Sequence, residues 1–379
     1  MRNPFQYGGV VGGPAFCNRG QELADLLRAA ENAEKVFIYS ERRMGKTSLV
    51  LHALGTLPKH SYTTAYIDLW PTDGPVTFVT VTAKAIAESM GSTAEQVLKA
   101  ARDFFGQLTP SVTLDEEGKP RVVFGVSRTS SSTPELEQVL AAPGEIAARG
   151  KKRVVIVFDE IQRILEYESD KVERQLRSII QRHEAVSYLF LGSRKHLIQR
   201  MFLDRSRPLY RSAGHYPLGP IAARHWLPFI RKRFQESGKD IPNGVTATVL
   251  ELTGGHPFYT QHLCHALWEL CEAGEGVTPA MVQEAVRMLL ARETYAYTAL
   301  WESLTLSQRR LLTGLASEED KPTRVFSSAF LRRCGLGSAS SAQRAAGTLI
   351  DRDVIDRDNG SFVVADRFFR IWIQQMHFF

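Results

Sequence analysis

Cysteine is scarce. Four thiols, Cys17, Cys264, Cys271 and Cys334, are scattered over 379 residues, and only Cys264 and Cys271 are near neighbours, two helical turns apart. That distribution indicates neither a disulfide framework nor a zinc site. Long apolar runs are missing as well: no stretch approaches the roughly 18 residues a membrane span needs. Residues 1–20 carry no cleavable apolar core, and no lipidation signal is present. These absences give the expectation of a soluble, cytoplasmic chain with no membrane partner. Neither sign of charge dominates, since 47 Lys and Arg stand against 41 Asp and Glu, for a net +6 and a pI near 9.1. This mild basic excess would suit an anionic partner without proving one. What is present is apolar material, 44% of the chain, enough for a large core in a length that predicts two or three domains.

The most informative stretch is Val36-Phe37-Ile38-Tyr39, an apolar strand that runs into Ser40-Glu41-Arg42-Arg43-Met44-Gly45-Lys46-Thr47-Ser48 and then a helix. A phosphate-binding junction needs inward-pointing backbone N–H groups, a lysine reaching the β- and γ-phosphates, and a hydroxyl on Mg2+. Gly45, Lys46 and Thr47 match the end of the pattern G-x-x-x-x-G-K-[ST]. Its first glycine is absent. Ser40 stands there instead, and must either hold an ordinary dihedral or accept strain of about a kilocalorie.

Context strengthens the motif. Arg153-Val154-Val155-Ile156-Val157-Phe158 is an unbroken apolar run ending in Asp159-Glu160, as expected of a strand buried on both faces of a parallel sheet. Carboxylates at the C-terminal end of such a strand lie in the ligand crevice of α/β sheets. Asp159 is then a candidate Mg2+ ligand, direct or through water, and Glu160 a candidate to polarise the attacking water. The alternative is a buried strand followed by an acidic helix cap. A third run, Ser187-Tyr188-Leu189-Phe190-Leu191-Gly192, ends at Ser193-Arg194-Lys195. Ser193 or Arg194 is placed to sense a γ-phosphate, whereas Lys195 reads better as a solvated basic turn.

Along the rest of the chain, Ser61–Leu69 alternates and ends near Asp68, which predicts the next strand of a β-α-β unit. Val76–Phe105 contains a long helical region. Thr109–Pro134, with its Gly, Pro and Ser/Thr run, reads as an insertion or flexible hairpin outside the core. Gly254-Gly255-His256-Pro257-Phe258-Tyr259 joins two helices, with proline in the first turn of the second. Two readings stand level there: an elbow that packs a helical lid on a nucleotide with His256 near it, and a plain helix–helix turn.

Taken in order, the phosphate loop with paired arginines, the Asp-Glu strand, the Gly-Ser-Arg strand end and the Gly-Gly-His-Pro-Phe-Tyr turn resemble the archaeal-type ATPases of the STAND group, relatives of the AAA+ initiators. Arg42, Arg43, Gly45, Lys46, Thr47 and Ser48 match that family's loop, while Ser40 and Glu41 depart from it. Asn3-Pro4-Phe5 with Phe16–Leu23 resembles the family's N-terminal motif against the adenine, and Arg19 matches its arginine. The resemblance covers about residues 3–275. It implies bound ATP and Mg2+, a strand-end sensor, a helical lid containing His256 and Pro257, and an arginine finger. Of Arg200, Arg205, Arg207 and Arg211, the turn Pro208-Leu209-Tyr210-Arg211 favours Arg211, whose alternative is a solvated cation.

The last hundred residues predict three helices and a hairpin: Leu304–Ala316, Phe326–Cys334, Ser338–Arg352, then two strands around Asp358-Asn359-Gly360. This is the outline of a winged helix, with Ser340–Arg352 offering Gln343, Arg344 and Arg352, and Arg357 on the wing. Duplex DNA is one candidate partner. The acidic wing residues Asp356 and Asp358 leave an internal clamp or a protein-docking surface as the other. The expected organisation is an α/β P-loop domain with a parallel central sheet over 1–220, a helical lid over 221–295 and a winged helix over 296–379. The expected activity is slow ATP hydrolysis coupled to a conformational switch, with a homo-oligomer or a protein partner as further candidates. An initiator-like DNA-binding ATPase and a nucleotide-locked scaffold without turnover are the alternatives.

Overall fold

Apolar density decides which strands occupy the middle of the sheet. A computed structural model describes residues 2–106, 108–114, 120–125, 133–150, 152–193, 195–318, 325–358 and 361–378. It divides into two units, Arg19–Arg42 with Lys46–Leu218, and Met1–Asn18 with Arg43–Gly45 and Gly219–Phe379.

The first unit runs α1 (Gly20–Glu31), β1 (Lys35–Tyr39), α2 (Lys46–Thr56), β2 (Tyr62–Asp68), α3 (Pro75–Met90), α4 (Ala94–Phe104), β3 (Thr109–Leu114), β4 (Pro120–Gly125), α5 (Thr133–Gly150), β5 (Arg153–Asp159), α6 (Lys171–Ile180), β6 (Val186–Gly192), α7 (Lys195–Leu203) and β7 (Gly214–Pro217). Five strands form a parallel sheet in the order β2-β5-β6-β1-β7. Every residue of β6 and all but the first of β5 are buried, as strands covered by helices on both faces must be.

One expectation is corrected here. β1 and β2 are not neighbours, because β5 and β6 insert between them. The reason lies in composition: β2, Tyr62-Thr63-Thr64-Ala65-Tyr66-Ile67-Asp68, buries only Ala65 and Ile67, so the half-polar strand goes to the edge and the continuous apolar runs take the centre. The single helical region expected over 76–105 is two helices, α3 and α4, separated at Gly91.

The insertion is corrected too. β3 and β4 form an antiparallel hairpin from Thr109↔Gly125 to Leu114↔Pro120, and β4 is not outside the core. Val122 and Phe124 are buried, and Phe124 meets the Phe105 ring edge-on at 6.0 Å. Alternation explains the difference, since one face of the hairpin is apolar and closes over α4. The remainder of that expectation, residues 115–119 and 126–132, lies outside the described residues.

The second unit contains α8 (Ala223–Glu236), α9 (Asn243–Thr253), α10 (Pro257–Leu270), α11 (Pro279–Glu302), α12 (Leu306–Ser317), α13 (Ser328–Arg333), α14 (Ala339–Asp351), the antiparallel pair β8 (Ile355–Asp358) and β9 (Ser361–Val364), and α15 (Arg367–Phe378). Ser338 caps α14 by accepting the Ser341 N–H at 3.2 Å, and Thr305 with Gln308 forms a reciprocal capping box on α12. One apolar cluster runs from Phe5 and Trp226 through Leu263 and Leu289 to Leu312, Phe330, Leu349 and Phe369. Residue 295, where a domain border was expected, lies within the continuous helix α11. Tyr297 and Trp301 on its last turns meet Phe369 and Trp372 of α15.

Candidate functional site

The loop between β1 and α2 carries the first group of side chains. Gly45 has φ +85° and Arg43 φ +60°, so the left-handed residues that turn the loop lie at its end. Ser40 has no positive φ. The hydroxyl that replaces a glycine here has found a function: Ser40 Oγ donates to Glu41 O at 2.8 Å and accepts from Lys46 Nζ at 2.8 Å, and Lys46 Nζ also donates to Glu41 O at 3.1 Å. Ser40 and Lys46 are both buried. The ammonium is thus held against loop oxygens at the N-terminus of α2, where free N–H groups and the helix dipole favour an anion. Ser48 and Met44 are buried as well, while Arg42 and Arg43 are exposed.

β5 delivers the second group. Asp159 is its last residue, 5% exposed, and the β2–β5 register sets Asp68 opposite it and Tyr66 opposite Val157. Thr47 Oγ1 donates to Asp159 Oδ2 at 2.8 Å, and the Tyr66 hydroxyl donates to the same oxygen. Asp159 Oδ1 accepts the Glu160 N–H at 2.8 Å. Burial first, and then the Asp159 charge, push the Tyr66 hydroxyl far above its ordinary value of 10.0, so it remains a donor.

Glu160 sits in the left-handed region at φ +53°, a conformation that costs a non-glycine residue about 1 kcal/mol or more. Its carboxylate is held by Ser193, whose hydroxyl lies 3.0 and 2.9 Å from its two oxygens, and by the Gln162 amide. Gly192 makes room for this arrangement. A Cβ there would lie 2.6 Å from Gln162 Oε1 and collide with Ile198. The C-terminal ends of β1, β5 and β6 therefore bring together Ser40, Lys46, Thr47, Asp159, Glu160 and Ser193.

The remaining expected residues, where described, have contacts of their own. Arg194 lies outside the described residues. Arg19 is the left-handed N-cap residue of α1, buried, with its guanidinium 2.7 Å from Glu22. Arg211 is exposed at φ +51°, its guanidinium over its own neighbour Tyr210, and no described contact joins it to the Lys46–Asp159 group. In the second unit, Arg43 lies 4.3 Å over the Phe258 ring. His256, also in that unit, is the buried N-cap residue of α10 with Pro257 at the first helical position. Gly255 ahead of it is forced: its carbonyl accepts the Ile221 N–H at 3.1 Å and Trp226 Nε1 at 2.9 Å, and a Cβ would strike Ile221 O.

Sequence reasoning missed Tyr66, Gln162 and Gly192. Tyr66 reads as an ordinary strand residue until the register of β2 on β5 is known. Gly192 carried the clearer signal, a glycine closing an apolar strand beside a polar pair.

One parallel sheet thus carries a strand that runs into a Lys-Thr helix start and a second strand that ends in an Asp-Glu pair. The family described as an ATPase domain predominantly from Archaea matches residues 16–263. The chain belongs to that family. Residues 295–375 of this ATPase match a second family, described as a probable winged helix domain. Among solved structures, it is similar to a Walker-type ATPase of Pyrococcus abyssi, at 16% identity over 95% of this chain and 96% of the other, with a TM-score of 0.63. It is also similar to the ORC2 protein of Aeropyrum pernix in its ADPNP–ADP complexes, at 13% identity over 94% of each chain, with a TM-score of 0.53. No curated protein matches it in sequence. The chain is accordingly a P-loop ATPase with a C-terminal winged helix. Among the described residues no helix is long and apolar enough to cross a membrane.

Proposed function

We propose that this ATPase binds ATP with Mg2+, hydrolyses it slowly and uses the change at the γ-phosphate as a conformational switch of the STAND type. The observation that carries the reading is the hydroxyl–carboxylate pair Thr47–Asp159 beside a lysine held on loop oxygens.

The residues fit the cofactors. Lys46 presents an ammonium whose loop partners are the kind of oxygen a phosphate offers. Thr47 gives its proton to Asp159, which leaves its oxygen lone pairs for a cation. Mg2+ commonly rests on one or two carboxylates together with substrate phosphates. Thr47 and Asp159 would hold that ion, which neutralises charge on the β- and γ-phosphates.

In this mechanism Lys46 leaves Ser40 and Glu41 O for the phosphates, and the N–H groups at the start of α2 cradle them. Glu160 orients the attacking water once its carboxylate is released from Ser193 and Gln162. Ser193 is then free to meet the γ-phosphate, and loss of that phosphate returns it to Glu160. Arg194 is proposed as its companion sensor, and Arg19, Arg42, Arg43, Met44, Ser48, His256 and Pro257 as the nucleotide's surroundings. An arginine finger from Arg211 requires a second copy of the chain. Domains over 1–220, 221–295 and 296–379 remain the proposed organisation, and the cytoplasm the proposed compartment.

Purified protein should bind ATP and turn it over at a rate that Lys46→Ala reduces by at least a hundredfold, whereas Glu160→Gln keeps binding and loses turnover. Unchanged turnover in Glu160→Gln would remove Glu160 from the role of base.

A second reading, an initiator-like ATPase that engages duplex DNA, is favoured by the winged helix match and by the ORC2 likeness. Its mark is DNA affinity that falls steeply with salt, with turnover raised by DNA. Turnover that ignores DNA and accompanies a change of mass supports the switch.

A further inference from the structure

We infer that Tyr66 is a positioning residue for the metal carboxylate: its hydroxyl fixes the orientation in which Asp159 would meet Mg2+. The inference rests on the reading of Thr47 and Asp159 as the metal-holding pair.

A carboxylate oxygen has two acceptor sites. Both on Oδ2 are taken, one by Thr47 Oγ1 at 2.8 Å and one by the Tyr66 hydroxyl. Oδ1 receives the Glu160 N–H at 2.8 Å, so one site remains for the cation or for one of its waters. Mg2+ surrenders its waters reluctantly and commonly keeps several, which matches a carboxylate offering one free site. A carboxylate whose donors fix its plane also spares the cost of ordering it when the cation arrives.

Tyr66 belongs to a different strand from Asp159, and its reach is set by the parallel register. Opposite Val157, it stands two residues short of the position level with Asp159 on the same face of the sheet. It therefore leans along the strand direction, as long strand side chains do. Half-buried on the edge strand, it fills no core position that would explain a hydroxyl here. Phenylalanine would satisfy packing and leave Asp159 one donor short.

The test compares Tyr66→Phe with the parent protein and with Tyr62→Phe. Tyr62 lies on the same strand, with its hydroxyl bonded to Arg153 at the exposed rim. Binding of a fluorescent ATP analogue is titrated in EDTA and across a range of Mg2+ concentrations, with melting temperature as the control for folding. Affinity in EDTA should stay within about twofold in both variants. The gain in affinity conferred by Mg2+ should fall about threefold to tenfold in Tyr66→Phe alone, and the Mg2+ concentration for half-effect should rise correspondingly. A Mg2+ gain preserved in full overturns the inference and leaves the ATPase reading standing, as does an equal loss with and without metal, which would mark a purely structural role. A parent protein whose nucleotide binding ignores Mg2+ removes the metal role from Asp159 and this inference with it.

Discussion

Ser40 shows how one side chain can depart from a motif and take up a contact of its own. A glycine at that position is valued for backbone freedom, yet Ser40 holds no left-handed φ; Arg43 and Gly45 do. The hydroxyl instead gives Lys46 an acceptor. Hydrogen bonds to charged groups contribute about 1.5–3 kcal/mol, part of which water recovers when the partner is deleted. Ser40→Gly should therefore melt a few degrees lower without nucleotide and bind ATP roughly threefold to tenfold more tightly, since the phosphate no longer competes with Oγ. Calorimetry and titration check both, and weaker ATP binding in the variant would mean that the hydroxyl assists the phosphate. The sequence made Lys46, Thr47, Asp159 and Glu160 legible because their spacing from strand ends is local. What it hid was contact: that Thr47 gives its proton to Asp159, and that Glu160 is turned into the left-handed region to meet Ser193.

Elements were legible in proportion to how far their burial follows from composition. β5 and β6 are apolar throughout and are central, whereas β2 alternates and is the edge. Adjacency was not legible, because nothing in β1 or β2 states that two strands from later in the chain will come between them. The β3–β4 hairpin failed for another reason: its turn-rich surroundings masked a short apolar face. Phe124, 6% exposed against Phe105, makes the difference measurable. Phe124→Ala should destabilise the protein by about 3–4 kcal/mol, read as a shifted urea midpoint, whereas a detached insertion would tolerate it. Gly192 at the end of β6 gives a second test at this scale. Gly192→Ala drives a methyl into Gln162 and Ile198, so overpacking of about 1–3 kcal/mol is expected. Hydrolysis should fall further than ATP binding, since the displaced Gln162 side chain would crowd Glu160 as it turns to the water.

At the scale of the whole molecule, the net charge of +6 says little about fold, and the response to acid is better argued from one half-buried ring. His262 on α10 is stacked on Tyr7 at 4.0 Å and lies 5.5 Å from the Phe258 ring. Burial first, then the neighbouring charges of His265, Arg292 and Arg43, lower its pKa from 6.5 to about 4. The sign follows directly. As pH falls below about 6.5 the unfolded chain takes up this proton, while the folded chain declines it until about pH 4, so the native state loses stability across that window and loses no more below it. The full shift would correspond to about 3 kcal/mol, and solvent screening at a half-buried ring reduces this to roughly 1–2 kcal/mol. Urea unfolding at pH 7.5 and at pH 4.5 should therefore show a drop that His262→Phe removes in part, the phenyl ring keeping the stack on Tyr7. Carboxylates elsewhere in the chain give both proteins a common acid sensitivity, so the informative quantity is the difference between the two pH dependences. Equal slopes in the parent and in His262→Phe would mean that the ring takes up its proton in the folded state as readily as in the unfolded one.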